Sequence, residues 1–275
     1  AELLSNKIIF SLEEKILITE ELSQSLAWHI PVIRNEFNFN DLLVNAMSRY
    51  QYIHSVHLNI YSSEDSNLPV MMISERNNGD ILFREIVDRS LITEEYTEID
   101  RSFLSGTKPA WSDAYKCSPD SQLVVMFYFP ISSSPGGVEQ VWNGYIACEL
   151  SLGFLNELID STRVGEKGYA FLIARDGKFI THPNRSLIMK RSLLSLPEEI
   201  FRGTKDKLEA LLSDNLSPLV VYPDILNHKR SLAFHSRVPQ TGWILALVRP
   251  FSEINQELRW NMIKMIVISL FVAAL

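Results

Sequence analysis

The residues of this chain best suited to chemistry are its histidines, cysteines and carboxylates, so their spacing comes first. His54 and His57 are three positions apart. On a strand, where side chains alternate faces, that spacing sends them to opposite sides, and a shared metal is not expected. With only 2 Cys, at Cys117 and Cys148, the chain can build neither a four-thiolate zinc site nor a disulfide scaffold. An oxidising compartment would allow one bond between them. No GxSxG, phosphate-binding loop, HExxH or kinase signature occurs, and Asp176-Gly177 reads as turn chemistry.

One cluster remains. Trp111-Ser112-Asp113-Ala114-Tyr115 precedes an apolar run carrying Tyr128, and Glu149 follows in the apolar context Ile146, Ala147, Leu150. An isolated buried carboxylate is costly, so Glu149 must be solvated, paired or bound to a cation. Aromatic walls around one convergent acid suit a small organic cation or an amino group. The same residues also fit an ordinary core with Glu149 paired to Arg84 or Arg89. A hydrolase using Glu149 and Asp113 as a carboxylate pair finds no further support in the chain. A partner-binding module without a ligand is the third reading.

The elements that must position these residues follow from composition and period. The chain has 275 residues and a net charge of 26 − 33 = −7; 46% of residues are hydrophobic and 21% charged. That is a globular composition, long enough for two domains, and its acidity argues against a nucleic-acid partner. Leu4, Ile8, Leu12 and Ile16 recur every fourth residue, predicting a long amphipathic helix over Leu4–Ile30. At the other end Met265–Leu275 is uncharged, preceded by Arg259, Trp260 and Lys264. This run is too short to span a bilayer as it stands and reads as the start of a membrane helix.

Between the ends, Asn40 or Asp41 caps a helix to Tyr50. Strands fit Val56–Ile60 and Pro69–Ser74, a turn fits Asn77-Asn78-Gly79, and a helix is expected over Asp80–Leu91. Leu123–Ile131 and Val138–Leu150 read as strands around a turn at Pro135-Gly136-Gly137. Leu152–Ser161 reads as a helix, Gly168–Ala174 and Lys178–His182 as a hairpin, and Leu193–Ser213 as a helix broken near Gly203. Strands at Pro218–Tyr222, Ser231–Val238 and Trp243–Val248 precede a final helix from Phe251. The fold class is α+β, two units in series with antiparallel sheets and a boundary near Ser151.

The order of short motifs resembles double Cache sensor domains. Gly168-Tyr169-Ala170-Phe171-Leu172-Ile173, Asp176-Gly177, Thr181-His182-Pro183-Asn184, Leu187-Ile188-Met189, the segment Ser192–Glu199 and Thr241-Gly242-Trp243 are similar to the family's membrane-proximal unit. Trp111-Ser112-Asp113-Ala114-Tyr115 is similar to its Trp-Ser-x-Pro-Tyr segment. Gly144–Leu152 resembles the strand-to-helix junction, with Glu149 where the family usually has Asp. The amino-acid-binding subset carries Arg just before the Trp, where this chain has Lys108.

The resemblance implies two PAS-like units in tandem: stalk helices over 1–50, a ligand-binding membrane-distal unit over 51–150, a membrane-proximal unit over 151–257, and the start of a membrane helix over 258–275. It implies an extracytoplasmic small-molecule sensor of a bacterial inner-membrane receptor, facing the periplasm or the outside. A sensor histidine kinase of a two-component system is the expected whole protein; serine phosphatases, chemoreceptors and cyclic-dinucleotide enzymes are the alternatives. No catalytic residue, metal or cofactor is expected in this segment. Trp111, Ser112, Tyr115, Tyr128 and Glu149 are expected to line the pocket, with Arg76 or Arg84 reaching it. The expected partners are an amine, amino acid or carboxylate ligand, the membrane, and a second copy docked through the N-terminal helix.

Overall fold

The computed structural model describes residues 2–33, 39–60, 71–77, 79–86, 108–117, 122–132, 142–196, 205–212 and 218–273. Arg89, the turn at Pro135-Gly136-Gly137 and the break near Gly203 lie outside them. Two compact units form, one from Glu13–Phe154 and the other from Ala1–Leu12 with Leu155–Leu275.

Helix α1, Glu2–Ile33, buries Ile8, Leu12, Ile16 and Leu26 along one stripe. Thr19 and Ser23 continue that stripe as buried polar residues. Each turns its hydroxyl back onto the carbonyl four residues earlier, Lys15 at 2.7 Å and Thr19 at 2.8 Å, so neither is left unsatisfied. Helix α2 follows at Phe39–Arg49.

In the first unit the strands are β1 (Ile53–Ile60), β2 (Met71–Asn77), β3 (Asp80–Ile86), β4 (Ala110–Trp111), β5 (Tyr115–Lys116), β6 (Leu123–Ser132) and β7 (Trp142–Ser151). They form one antiparallel sheet in the order β3-β2-β1-β7-β6-β4, with β5 also paired to β6. Leu26, Ala27, Leu43 and Met47 of the two helices pack on one face with Val56, Leu58, Met72, Ile146 and Cys148. Arg76 ties α2 to the sheet by donating to the carbonyls of Met47, at 2.7 Å, and Ile53, at 3.4 Å.

The helix expected over Asp80–Leu91 is corrected: residues 80–86 are strand β3, paired to β2 from Met71↔Ile86 to Asn77↔Asp80. Apolar and charged residues in that stretch satisfy either period. The hairpin decides it, because Gly79 takes φ +96°, a conformation that folds β3 straight back on β2.

The second unit has α3 (Gly153–Ser161) leading into it, then β8 (Tyr169–Ile173), β9 (Phe179–Thr181), a 3-10 turn at Leu193–Ser195, α4 (Lys205–Leu212), β10 (Leu219–Pro223), β11 (Arg230–Arg237) and β12 (Ile244–Pro250). Its sheet runs β10-β11-β12-β8-β9, all antiparallel. Phe171, Phe179, Leu193, Tyr222, Ala246 and Val248 form its core. Gly177 holds φ +81° at the β8–β9 turn, where a Cβ would meet Ser192 Oγ at 2.7 Å. The helix expected over Leu193–Ser213, broken near Gly203, is represented among the described residues by the 3-10 turn and α4, the turn being fixed by a capping box between Ser192 and Ser195.

Helix α5, Phe251–Ala273, carries Met262, Met265, Val267, Ile268 and Leu270 as exposed apolar residues. Among the described residues no helix is long and apolar enough to cross a membrane.

Candidate functional site

The sheet face of the first unit opposite α1 and α2 carries polar groups where a plain core would be apolar. Along β1 the period of two sends Val56 and Leu58 to the helices and Ser55, His57 and Asn59 to the other face. Register then aligns Ser55 with Glu75 on β2 and with Glu149 on β7, and aligns Glu149 with Met126 on β6. All of these residues are buried.

Glu149, 2% exposed, is the centre of this face. Ser55 donates its hydroxyl to Oε2 and Tyr115 donates its phenol to Oε1. His57 Nε2 lies 3.8 Å from Oε2 and 2.6 Å from Ser55 Oγ. Because the Ser55 proton goes to Glu149, the imidazole N–H is the donor to Ser55. This order is the reverse of a hydrolytic triad, in which the serine gives its proton to histidine, so nothing activates Ser55 as a nucleophile.

Burial pushes the Glu149 carboxyl up, but the His57, Ser55 and Tyr115 interactions outweigh it and lower its pKa to about 2. The group is therefore an anion at neutral pH. Burial, then the charge of Glu149, pushes the Tyr115 phenol well above its ordinary value, which keeps it a donor. Each carboxylate oxygen offers about two acceptor positions, so Glu149 retains capacity beyond its present partners.

Beside the acid stands an aromatic wall. Tyr128 and Tyr145 meet edge-on with centroids 5.4 Å apart, and Asn59 Nδ2 donates to the Tyr145 hydroxyl at 3.2 Å. They cluster with Met126, Ala147 and Tyr115.

Of the residues expected from sequence, the fold brings Tyr115, Tyr128 and Glu149 together on this face. Arg84 shares it too, aligned with Ile73, which aligns in turn with His57, and it is paired with Glu75 rather than Glu149. Trp111 does not join them. It aligns with Phe127, which aligns with Cys148 on the helix-facing side, and its indole donates to Glu20 of α1 at 2.7 Å. Ser112 is consumed in holding the chain to β6: its hydroxyl accepts from Met126 N at 2.9 Å and donates to Asp113 O at 2.8 Å. Arg76 serves the α2 junction described above. Asp113 is exposed, whereas Glu149 is buried.

Cys117 and Cys148 are not joined by a disulfide. Cys148 packs in the helix-side core, while Cys117 Sγ lies 3.9 Å from Glu149 Oε2 on the polar face. The expectation that His54 and His57 diverge fails as well. The β1–β7 register shifts between Ile53 and Ser55, which breaks the alternation, and His54 reaches Glu75 while His57 reaches Glu149. Sequence reasoning missed Ser55, His57, Asn59, Glu75 and Tyr145. Polar residues at every second position of an otherwise apolar strand were the available signal.

The second unit holds a smaller polar cluster. Tyr169 donates to Asp224 Oδ1 at 3.0 Å, and the buried His182 ring meets Tyr169 and Phe179 edge-on and Phe171 at a tilt. Burial lowers His182 and His235 to about 4, so both are neutral near pH 7.

Residues 18–258 match the model of the dCache_1 family, described as a Cache domain. This chain belongs to the dCache_1 family. Domains of this family are sensor domains. The Cache chain is 28% identical over 104 residues to the methyl-accepting chemotaxis protein McpG of Pseudomonas putida. That match covers 38% of this chain and 15% of McpG. In structure it is similar to the extracellular domain of mmHK1S-Z3, a protein assigned to the histidine kinases, with TM-score 0.70, 16% identity, and coverage of 92% of this chain and 93% of that one. It is also similar to the ligand-binding domain of the Pseudomonas aeruginosa amino acid chemoreceptor PctC in complex with GABA, with TM-score 0.55, 17% identity, and coverage of 90% and 96%. At these identities the structural likeness establishes the fold of the Cache domain.

Proposed function

We propose that this Cache domain is the extracytoplasmic sensor of a bacterial inner-membrane receptor, and that its ligand is a small molecule bearing an amino group, received by Glu149. The observation that carries the reading is a fully buried, ionised carboxylate with remaining acceptor capacity beside two tyrosine rings. A cationic amine gains from both, by charge-assisted hydrogen bonding and by attraction to the ring faces. PctC held GABA, an amino acid, when its structure was determined, which supports the same ligand class. Lys108 where the amino-acid-binding subset has Arg leaves the clamp for a ligand carboxylate different from that subset's, so amines without a carboxylate belong in the same screen.

In this reading residues 51–150 sense the ligand, 151–257 relay its presence, and 1–50 form the stalk. The segment from 258 leads to the membrane, its exposed Met265, Val267, Ile268 and Leu270 suiting lipid. The proposed output is a histidine kinase, with a chemoreceptor the alternative favoured by the likeness to McpG. A homodimer through α1 is part of the proposal: Leu3, Phe10 and Leu17, seven apart, are exposed on the helix beside its buried stripe.

Isothermal titration of the purified chain with GABA, free amino acids and simple diamines tests the reading. Saturable binding by at least one amine, lost in Glu149→Gln with the far-ultraviolet circular dichroism unchanged, is expected. Binding only of carboxylates lacking an amine, or equal binding by Glu149→Gln, overturns it.

A further inference from the structure

We infer that His54, Glu75 and Cys117 form a binding site for a zinc-class divalent cation at the end of the polar sheet face. The imidazole nitrogen, carboxylate oxygen and thiol sulfur of these three residues all lie within 4.8 Å of one another, and all three residues are buried. Nitrogen, oxygen and sulfur donors together select zinc and its transition-metal neighbours over magnesium or calcium.

The second observation is His54 itself. It is 3% exposed, yet its Nε2 has no hydrogen-bond partner among the described residues. The nearest acid oxygen, Glu75 Oε1, stands 3.9 Å away, too far for a hydrogen bond and wide enough for an ion between them. Leaving a buried polar atom without a bond is costly, and a cation at this point removes that cost. Zinc bonds of about 2.0–2.3 Å require the donors to close by roughly 1 Å, a movement within reach of side-chain rotation.

The surroundings agree with the assignment. Glu75 Oε2 is held by Arg84, which leaves Oε1 as the single oxygen aimed at His54. Ligating carboxylates are commonly fixed in this way. Cys117 Sγ donates to Glu149 Oε2 at 3.9 Å, which holds the thiol at this end of the face without making Glu149 a ligand. The other cysteine, Cys148, packs in the helix-side core and takes no part. The inference does not depend on the amine reading, because its ligands are different residues.

Cobalt(II) chloride is the probe. Added to the purified chain, it is expected to give one equivalent of binding with a thiolate-to-cobalt charge-transfer band, displaced by zinc. The band should vanish in Cys117→Ser and persist in Cys148→Ala. His54→Gln should weaken zinc binding by more than 100-fold and Arg84→Gln by about 10-fold, the effect typical of a residue that steadies a ligand. A measurement on the unaltered chain guards against misfolded variants: zinc should slow alkylation of Cys117, read by mass spectrometry. No thiolate band at saturating cobalt, a band that survives Cys117→Ser, or alkylation of Cys117 indifferent to zinc would each overturn the site. Amine titrations run beside the cobalt titrations separate the two claims: a chain that binds an amine but gives no thiolate–cobalt band refutes only this inference, and one that gives the band but binds no amine refutes only the other.

Discussion

Tyr115 donates its phenol to Glu149 from two strands away, β5 to β7 across β6, and so joins the motif containing Trp111 to the acid at the centre of the polar face. Tyr115→Phe removes one of the donors that hold the carboxylate ionised. The expected result is a loss of about 1.5–3 kcal/mol of stability, the range for a hydrogen bond to a charged group, with an upward shift of the Glu149 pKa. Urea denaturation and carboxyl-labelled NMR check the two parts.

Trp111 separates packing from binding. Its ring lies 4.9 Å from Phe127 on the helix-facing side, with the indole N–H on Glu20. Trp111→Ala is expected to cost about 3–5 kcal/mol of stability, while ligand affinity in the protein that remains folded changes less than in Glu149→Gln. Paired thermal melts and titrations read both; an affinity loss equal to that of Glu149→Gln would put the indole in the ligand site after all.

Acid sensitivity should arise in the second unit. Burial lowers His182 and His235 from 6.5 to about 4, so below pH 6.5 the unfolded chain binds protons that the folded chain refuses. Stability from these groups is complete above pH 6.5, declines as pH falls, and is lost by about pH 4. Each contributes at most about 3 kcal/mol. Glu149, held at about 2, adds a separate loss at lower pH, below the ordinary carboxylate range and through about 2. Melting temperatures of the unaltered chain and of His182→Phe across pH 4–7 check this, the variant being expected to show the shallower decline.

Much of the fold was legible because its signals are local. The four-residue apolar spacing of α1, the alternation of Val56 and Leu58, and the Asp176-Gly177 turn each follow from backbone geometry within a few residues. Residues 80–86 misled because both periods fit them, and only pairing with β2 settles the matter. The site was half legible. Glu149 announced itself as an acid in an apolar run, and Tyr115 and Tyr128 fell near it. What sequence could not supply was face: β4 turns Trp111 toward α1, and the irregularity between Ile53 and Ser55 carries His54 to the same side as His57. Both depend on register with strands distant in the chain.

The dimer proposed through α1 predicts that Phe10→Glu, a change at a residue 71% exposed in the single chain, leaves folding intact and shifts sedimentation to the monomer. A monomer in both proteins contradicts it.

The most direct measurement is a crystal structure of the chain soaked or grown with the amine that binds most tightly in titration. The account predicts density for that molecule on the polar face of the first sheet, its nitrogen within hydrogen-bond distance of Glu149 and a tyrosine ring of Tyr128 or Tyr145 against it. Density confined to the second unit, with Glu149 still engaged by Ser55, His57, Tyr115 and Cys117 and by no ligand, would contradict it.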